Sequence, residues 1–317
     1  MLSMNACGRE FRGVDLDDLT PRQSTVEWPT LALLIACYAL WGGALFYVSH
    51  YSTFGAIILV ALSAALHASL QHEVIHGHPT GWVWLNEALV TPALTLYVPY
   101  PRFRDTHLAH HTDAMLTDPY DDPESNYVDP KVWAQMHPVQ QCFLTCNNCL
   151  LGRIVIGPLI AMWCFLRTEF HLIGTDTPEI KKAWRLHLPA MIAVLWLAAI
   201  APLPFWAFLL GTYGAISILK IRTFLEHQAH EKSRARTVII EDRGLLALLF
   251  LNNNFHVVHH MHPQVAWYKL PAVYAANKTR YIAANEGYRY GSYREVIVRY
   301  FLRAKDPVAH PLMPPND

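Results

Sequence analysis

Residues 54–76 read FGAIILVALSAALHASLQHEVIH, an apolar run from Phe54 to Leu70 that is followed at once by His72 and His76. A helix that crosses a bilayer needs roughly 20 mostly apolar residues. Histidines four positions apart share one face of a helix. The stretch therefore predicts a membrane-spanning helix that presents two imidazole side chains where it leaves the bilayer.

A second apolar run, Thr30–Val48, precedes this stretch across a short uncharged loop, so the two runs predict an antiparallel hairpin. Farther along, Leu188–Ile221 is apolar for long enough to cross twice, with Pro202 and Pro204 where a turn belongs. We therefore expect an all-α integral membrane protein with four transmembrane helices in two hairpins. Two weaker apolar stretches predict interfacial or re-entrant helices, namely Trp82–Tyr100 and Ile154–Leu166.

The placement of lysine and arginine predicts the orientation of these spans. The loops 49–52 and 201–203 contain neither residue, and cytoplasmic segments usually carry the excess of positive charge. Both termini and the segments that hold the histidines are thus expected in the cytoplasm. The chain is predicted to form one domain, made of an N-terminal cytoplasmic segment (1–28), a first hairpin (29–70), a cytoplasmic helical cap (71–187), a second hairpin (188–221) and the rest of the cap (222–317).

The composition agrees with a chain that lies partly in lipid. Charged residues make up 16% of the 317 residues, whereas an ordinary soluble domain has roughly 25%. The 25 basic and 25 acidic residues cancel, which leaves no basic field to attract nucleic acid. Clustered cysteines at Cys142, Cys146 and Cys149 could form a redox or metal pair, but reduced structural thiols are the favoured interpretation.

The 18 histidines are the most unusual feature of the composition. Many of them fall into four groups, in which residues three or four apart share one helix face. Each group lies just beyond a predicted span or in the cap, so all four can converge on one site outside the bilayer. The groups are His72 with His76; His107 with His110 and His111; Glu226 with His227 and His230; and His256 with His259 and His260.

The number of histidines favours two metal ions over one. Imidazole suits zinc, copper, iron or nickel, and a tetrahedral zinc takes about four ligands. Nine histidines exceed that number and suit two metals with positions left open for oxygen, for which iron is the consistent redox metal. Two alternatives stay open. HExxH at 72–76 is also the zinc peptidase motif, with Glu73 as general base, and a non-catalytic membrane metal-binding protein would use the same histidines without consuming O2.

The sequence has HxxxH at 72–76 (the first box), HxxHH at 107–111 (the second box) and at 256–260 (the third box), and a further histidine after the fourth predicted span. In these motifs it resembles the membrane-bound fatty acid desaturase superfamily. The resemblance covers about residues 28–271. This superfamily includes desaturases, alkane and fatty acyl hydroxylases and carotenoid ketolases. The resemblance implies a four-span fold whose cytoplasmic cap holds a non-haem di-iron centre almost wholly through histidine.

The resemblance also implies roles for particular residues. The metal ligands expected for two iron ions (Fe2+/Fe3+) are His72, His76, His107, His110, His111, His230, His256, His259 and His260. His227 is left out because the family pattern supplies one histidine in that segment, although its spacing would admit it. Glu226 stands where some members have an asparagine that reaches iron through water, and direct ligation, bridging or a hydrogen bond to His230 all remain open. Hydrogen bonds to the ligating histidines are expected from Asp113, Asp118 and Asn252.

The expected reaction is the O2-dependent desaturation of a fatty acyl chain or a related lipid-like substrate. A hydroxylase on the same site is the first alternative. A desaturase of a small amino-acid-derived metabolite is the second, because words such as LQHEVIHGHPT at 70–80 resemble a group of bacterial proteins linked to both substrate classes. No electron-carrier motif is visible, so a separate ferredoxin, rubredoxin or cytochrome is expected as electron donor. The expected location is the bacterial inner membrane.

Overall fold

The computed structural model describes residues 26–175 and 177–313, so most of the predicted N-terminal segment 1–28 lies outside the described residues. The described residues are mostly helical, and their regular strands form one short parallel pair. The helices are α1 (Trp28–Phe46), α2 (Thr53–Ile75), α3 (Val83–Val90), α4 (Tyr100–His110), α5 (Pro130–Gln135), α6 (Pro138–Cys146), α7 (Leu150–Val155), α8 (Gly157–Gly174), α9 (Pro178–Ile200), α10 (Phe205–Arg222), α11 (Leu245–Leu249), α12 (His256–Met261), α13 (Leu270–Ala276), α14 (Lys278–Ala284) and α15 (Tyr293–Tyr300), and the strands are β1 (Ile239–Ile240) and β2 (Arg289–Tyr290).

Three helices of the described chain are long and apolar enough to cross a membrane. They are α1 extended to His50, α2 and α9. Helix α10 was expected to be the fourth span, but it has only 18 residues and its last turn contains Lys220 and Arg222, which lower its mean hydropathy. The arrangement of four spans in two hairpins therefore stays a prediction.

Helix α2 lies at the centre of the apolar core. A buried cluster of small and aliphatic side chains joins α2 to α1, α9 and α10, with Val60 and Ala64 on α2 and Ala207 and Phe208 on α10. A Cβ atom on Gly211 would lie 2.8 Å from Cβ of Val60. The absence of that atom lets α10 pack closely against α2, which brings the ends of the two helices together beneath the histidines.

The end of α2 is set by a glycine. His76 follows the helix, and Gly77 adopts φ +99, a conformation that glycine reaches without steric cost. The amide of Gly77 still donates to the carbonyl of Val74 at 3.0 Å, so the chain stays in contact with the last turn. This ending places His72 on the final turn of α2 and His76 just beyond it.

Two of the weaker sequence predictions need correction. Within Trp82–Tyr100, α3 covers only Val83–Val90; the chain then leaves the helix, Leu96 has φ +72, and the next helix, α4, begins at Tyr100. Ile154–Leu166 was expected to be one helix of about 13 residues, but the chain breaks at Ile156 and α8 runs for 18 residues to Gly174. The helix continues through polar residues because Glu169 is buried between Arg102 and the indole of Trp184, at 2.9 Å from each.

Candidate metal centre

Four segments bring their histidines to one place above α2. The last turn of α2 and its cap supply His72 and His76, and α4 and its cap supply a second set. The six-residue helix α12 supplies a third set. The segment after α10 supplies one more side chain, His227. Together they form two neighbouring groups. Within each group, every residue offers one candidate ligand atom, and these atoms all lie within 4.8 Å of one another.

The first group contains five imidazoles, from His72, His76, His107, His111 and His259. Nε2 of His107 lies 2.9 Å from Nε2 of His111 and 3.3 Å from Nε2 of His76. Nε2 of His259 lies 3.1 Å from Nε2 of His111. The Nε2 atoms of these four rings therefore converge on one small volume.

The second group contains four imidazoles, from His110, His227, His256 and His260. Nε2 of His227 lies 2.9 Å from Nε2 of His110 and 3.0 Å from Nε2 of His256. The two groups touch, because the rings of His111 and His260 are stacked with their centroids 4.3 Å apart. The arrangement therefore provides two adjacent sites made wholly of imidazole nitrogen.

These nitrogen positions fit metal ions better than a hydrogen-bonded core. Two nitrogens bound at about 2.1 Å to one ion and at a right angle lie about 3.0 Å apart, which is the spacing found here. Nε2 of His72 and Nε2 of His260 are buried without a hydrogen-bond partner among the described residues. Buried polar atoms of this kind usually have a partner, and a metal ion would supply it.

The protonation of the rings also suits metal binding, which requires neutral imidazole. Burial, with smaller contributions from neighbouring imidazoles, lowers the pKa of His227, His256 and His259 well below the usual value. Burial likewise lowers the pKa of His260 to about 4. The lone pairs of these rings are thus free at neutral pH.

His110 differs from the other rings because it lies beside two carboxylates. Burial opposes its protonated form, but Glu124 and the hydrogen bond to Asp122 outweigh burial and raise the pKa of His110 to about 9. In turn, although burial favours the neutral acid, His110 and His107 lower the pKa of Glu124. Metal binding at His110 would therefore release a proton.

Carboxylates hold several rings by the nitrogen that faces away from the convergence point. Oδ1 of Asp122 lies 2.8 Å from Nδ1 of His110, and Oε1 of Glu124 lies 3.0 Å from Nδ1 of His107. Oδ1 of Asp113 lies 3.4 Å from Nδ1 of His260. Such contacts fix the tautomer and the orientation of a metal-binding histidine, so each ring can present Nε2 to the ion.

We predict that Asp122→Asn lowers metal affinity about 10- to 100-fold, the usual effect of losing such a contact. Both oxygens of Asp122 accept hydrogen bonds. Oδ1 accepts from Nδ1 of His110 and from the backbone amide of Glu124, and Oδ2 accepts from the backbone amide of Thr117. An asparagine supplies only one such oxygen. Metal retained per chain after dialysis against a graded chelator measures the change. The neighbouring exposed Asp121, changed to Asn, is the matched control. Equal retention in both variants would contradict this role for Asp122.

His230 lies outside both groups. Its side chain is 31% exposed, Nε2 lies 3.3 Å from Oε2 of Glu286, and Nδ1 accepts from the amide of Lys232 at 3.1 Å. The helical spacing that favoured His230 does not apply, because α10 ends at Arg222 and His227 forms an isolated bridge with Thr237. His227, which the sequence analysis left out, occupies the position in the second group. The two basic residues in the last turn of α10 are a helix-ending signal that could have indicated this.

Glu226 also lies outside the two groups. It is buried, and its Oε1 accepts from Nδ2 of Asn253 at 2.8 Å and lies 3.3 Å from Nε of Arg222. Burial raises the pKa of Glu226, while Arg222 opposes that rise. Oδ1 of Asn253 lies 3.2 Å from Nδ1 of His256. Among the described hydrogen bonds, Glu226 is therefore linked to a clustered ring through Asn253. A hydrogen bond from Glu226 to His230, which was one of the alternatives left open by the sequence, is not formed.

Of the three residues expected to support the histidines, only Asp113 does so by contact. Oδ1 of Asp118 instead accepts from the amides of Tyr120 and Asp121 in its own turn. Asn252 adopts φ +56 and donates to the carbonyl of Trp267. The supporting residues that sequence analysis did not select are Asp122, Glu124 and Asn253. The first two belong to the acidic loop after the second box, whose path could not be predicted from spacing alone.

Glu73 is turned away from the histidines of its own motif. Its Oε1 accepts from the amide of Trp267 at 2.8 Å and lies 3.7 Å from Nε2 of His78. Nδ1 of His78 lies 2.9 Å from Oε1 of Glu27. A zinc peptidase would need Glu73 beside the metal-bound water as general base. This placement argues against the peptidase alternative.

A family model described as fatty acid desaturase matches residues 50–293. The chain belongs to the fatty acid desaturase family. The matched segment contains both histidine groups, and membership implies an oxidoreductase of the desaturase or hydroxylase type with a role in lipid metabolism. Together with the three apolar helices, it indicates that this desaturase-family chain is a membrane protein. No curated protein matches the chain.

Proposed function

We propose that the protein is an O2-dependent di-iron membrane oxidoreductase that desaturates a fatty acyl chain or a related lipid-like substrate. The observation that carries the proposal is the pair of adjacent imidazole groups, one of five rings and one of four. We assign the additional ligand to His227 in place of His230. When bound, the iron pair supplies the redox chemistry that activates O2 and cleaves an unactivated C–H bond.

The chain's own residues hold the site rigid and dry. Six of the nine rings are at most 8% exposed, and carboxylates or amides fix several of them from behind. Next to His72, a buried apolar cluster that includes Leu70, Val74 and Leu251 packs on the side of the site that faces the spans. Membership of the fatty acid desaturase family favours a lipid-like substrate over a small polar metabolite.

The proposed orientation has α1 and α2 as one hairpin and α9 and α10 as the other, with the metal centre in the cytoplasm. The contact between Glu27, before α1, and His78, after α2, supports this because it keeps both helix ends on one side. His227 follows α10 and lies with the other histidines, so the end of α10 is on that side too. We place the protein in the bacterial inner membrane, with a separate ferredoxin, rubredoxin or cytochrome as electron donor.

Product analysis by mass spectrometry tests the proposed reaction. The chain and a His110→Ala variant are expressed in a host that supplies a reductant, and fatty acids and small metabolites are compared. We expect a fatty acyl species that lacks two hydrogens in the parent and is at least about 100-fold less abundant in the variant, a loss beyond that of a supporting contact. A species that gains one oxygen would replace desaturase by hydroxylase, and a desaturated small metabolite would replace the lipid substrate. Equal product in both strains would overturn the site.

A further inference from the structure

Two short helices near the end of the chain expose an apolar surface that the proposed reaction does not use. The exposed fraction is 85% for Leu245, 73% for Val298 and 75% for Leu302, and Leu248 and Phe301 are also exposed. We call these five residues the α11–α15 surface. A groove of about 350 Å³ between the two helices, lined by Leu246 and Ile297 among others, joins its two halves. A joined apolar surface of this kind marks a binding partner, whereas single exposed apolar residues are ordinary.

The position of the α11–α15 surface along the axis of α10 indicates which kind of partner it binds. Leu150 packs with Phe224 beyond the end of α10, and the hydroxyl of Tyr213, in the middle of α10, donates to the carbonyl of Val155. Helix α7 therefore runs beside α10 from its end towards its middle, and Leu151 lies near the upper end. The amide of Leu151 donates to the carbonyl of Phe301 at 2.9 Å. Phe301 thus lies level with the last turns of α10.

Helix α11 reaches the same level. Leu246 and Leu249 pack around the same buried cluster as Ile218 and Ile221 of α10. Leu249 also packs against the core that joins the apolar helices. Below this level, α10 exposes Leu209 and Leu210, a face suited to lipid. The α11–α15 surface therefore lies level with the end of α10, where that helix reaches its own Lys220 and Arg222 and where a span leaves the acyl-chain region.

The charges around this surface are basic. Arg294, Arg299 and Arg303 are exposed beside it, and Arg294 also lines the groove. Arg294 and Val298 are four residues apart and share a helix face. The nearby acidic side chains accept backbone hydrogen bonds, Asp242 from the amides of Gly244 and Tyr293 and the exposed Glu295 from the amide of Gly291, and the three arginines outnumber these two carboxylates. Basic and apolar side chains together suit a bilayer surface with acidic phospholipids.

We propose that the α11–α15 surface lies in the headgroup region of the bilayer and binds acidic phospholipid. Leu245, Val298 and Leu302 enter the boundary of the acyl chains, and the three arginines pair with lipid phosphates. The level of the surface at the end of α10, together with its arginines, favours acidic lipid over a second copy or a soluble partner, and this argument rests on the proposed role of α10 as a span. The proposal does not depend on the reaction that the histidines support.

Photocrosslinking of the full-length protein in membranes tests the contact. Benzoylphenylalanine is placed at Val298, at Leu302, or at Tyr120, which is equally exposed but lies in the acidic loop. We expect a phospholipid mass on the chain at the first two positions and none at Tyr120. An adduct with a second copy or with another protein, or no adduct at Val298 and Leu302, would overturn the proposal.

A second measurement compares which phospholipids the protein and its variants retain. Arg294, Arg299 and Arg303 are changed together to Gln, and Lys131→Gln in α5 is the control. Native mass spectrometry counts retained phosphatidylglycerol against phosphatidylcholine. Since each arginine near the surface strengthens anionic lipid binding several-fold, we expect the triple variant to lose at least about tenfold in this preference and the control to keep it. An unchanged preference in the triple variant would remove the acidic lipid from the proposal.

Discussion

Replacing His227 by alanine is expected to lower turnover by more than about 100-fold, whereas His230→Ala keeps turnover within a few-fold of the parent. The reason is position. Nε2 of His227 lies within 3.0 Å of two other clustered nitrogens, while His230 faces Glu286 at the surface. Iron per chain, measured by elemental analysis, is expected to fall towards one in the first variant and to stay at two in the second.

The two variants are a matched test because each removes one imidazole from the same short segment after α10. Folding is checked by the thermal transition in detergent, with metal removed from all samples. The opposite ranking, with His230→Ala inactive and His227→Ala active, would show that the segment rearranges when metal binds. It would restore the ligand that the sequence pattern favoured. Loss of activity with two irons retained would instead give His227 a role other than ligation.

Removing the metal is expected to lower the melting temperature by about 10 °C or more. A metal at about 1,000 times its Kd contributes about 4 kcal/mol per site, and each kcal/mol moves the transition by about 2–4 °C in a chain of about this size. Without metal, buried atoms such as Nε2 of His72 and of His260 lack a partner, which costs about 1–3 kcal/mol each. Thermal scans before and after chelation measure the shift.

Adding metals back separates stability from turnover. Ferrous iron added without oxygen is expected to restore both the melting temperature and product formation. Zinc is expected to restore the melting temperature alone, because imidazole binds it well but it has no redox chemistry. A melting temperature that chelation leaves unchanged, with product formation intact, would rule out a metal centre in these two groups.

The spacing within the three boxes predicts which of their histidines share a helix face, because it is a property of local helices. His107 with His111 and His256 with His260 face one side of α4 and α12 as spacing requires. The same rule failed after Arg222, since it presumes a helix that had already ended. The rule cannot detect that end, beyond which Glu226 contacts Arg222 and Asn253 through tertiary packing.

The supporting carboxylates were harder to predict because they depend on a loop. Asp122 and Asp118 are four residues apart in one acidic segment, and either could approach the second box. The turn at Thr117, with φ +70, sends Asp122 inwards and leaves Asp118 to cap its own turn. Such a choice is decided by tertiary contacts, among them those of the chain near His310. Sequence spacing contains no information on them.

The dispersal of the ligands along the chain has a consequence for biogenesis. His72 emerges from the ribosome early, but its ring neighbours His259, and the second group requires His260. The first group is not complete until the chain has been translated through His259, nor the second until His260, and by then the intervening apolar helices have been made. The proposed iron ions would therefore enter an already assembled fold, and a nascent chain stalled before His256 would hold an incomplete site that exposes the first box to the wrong metal.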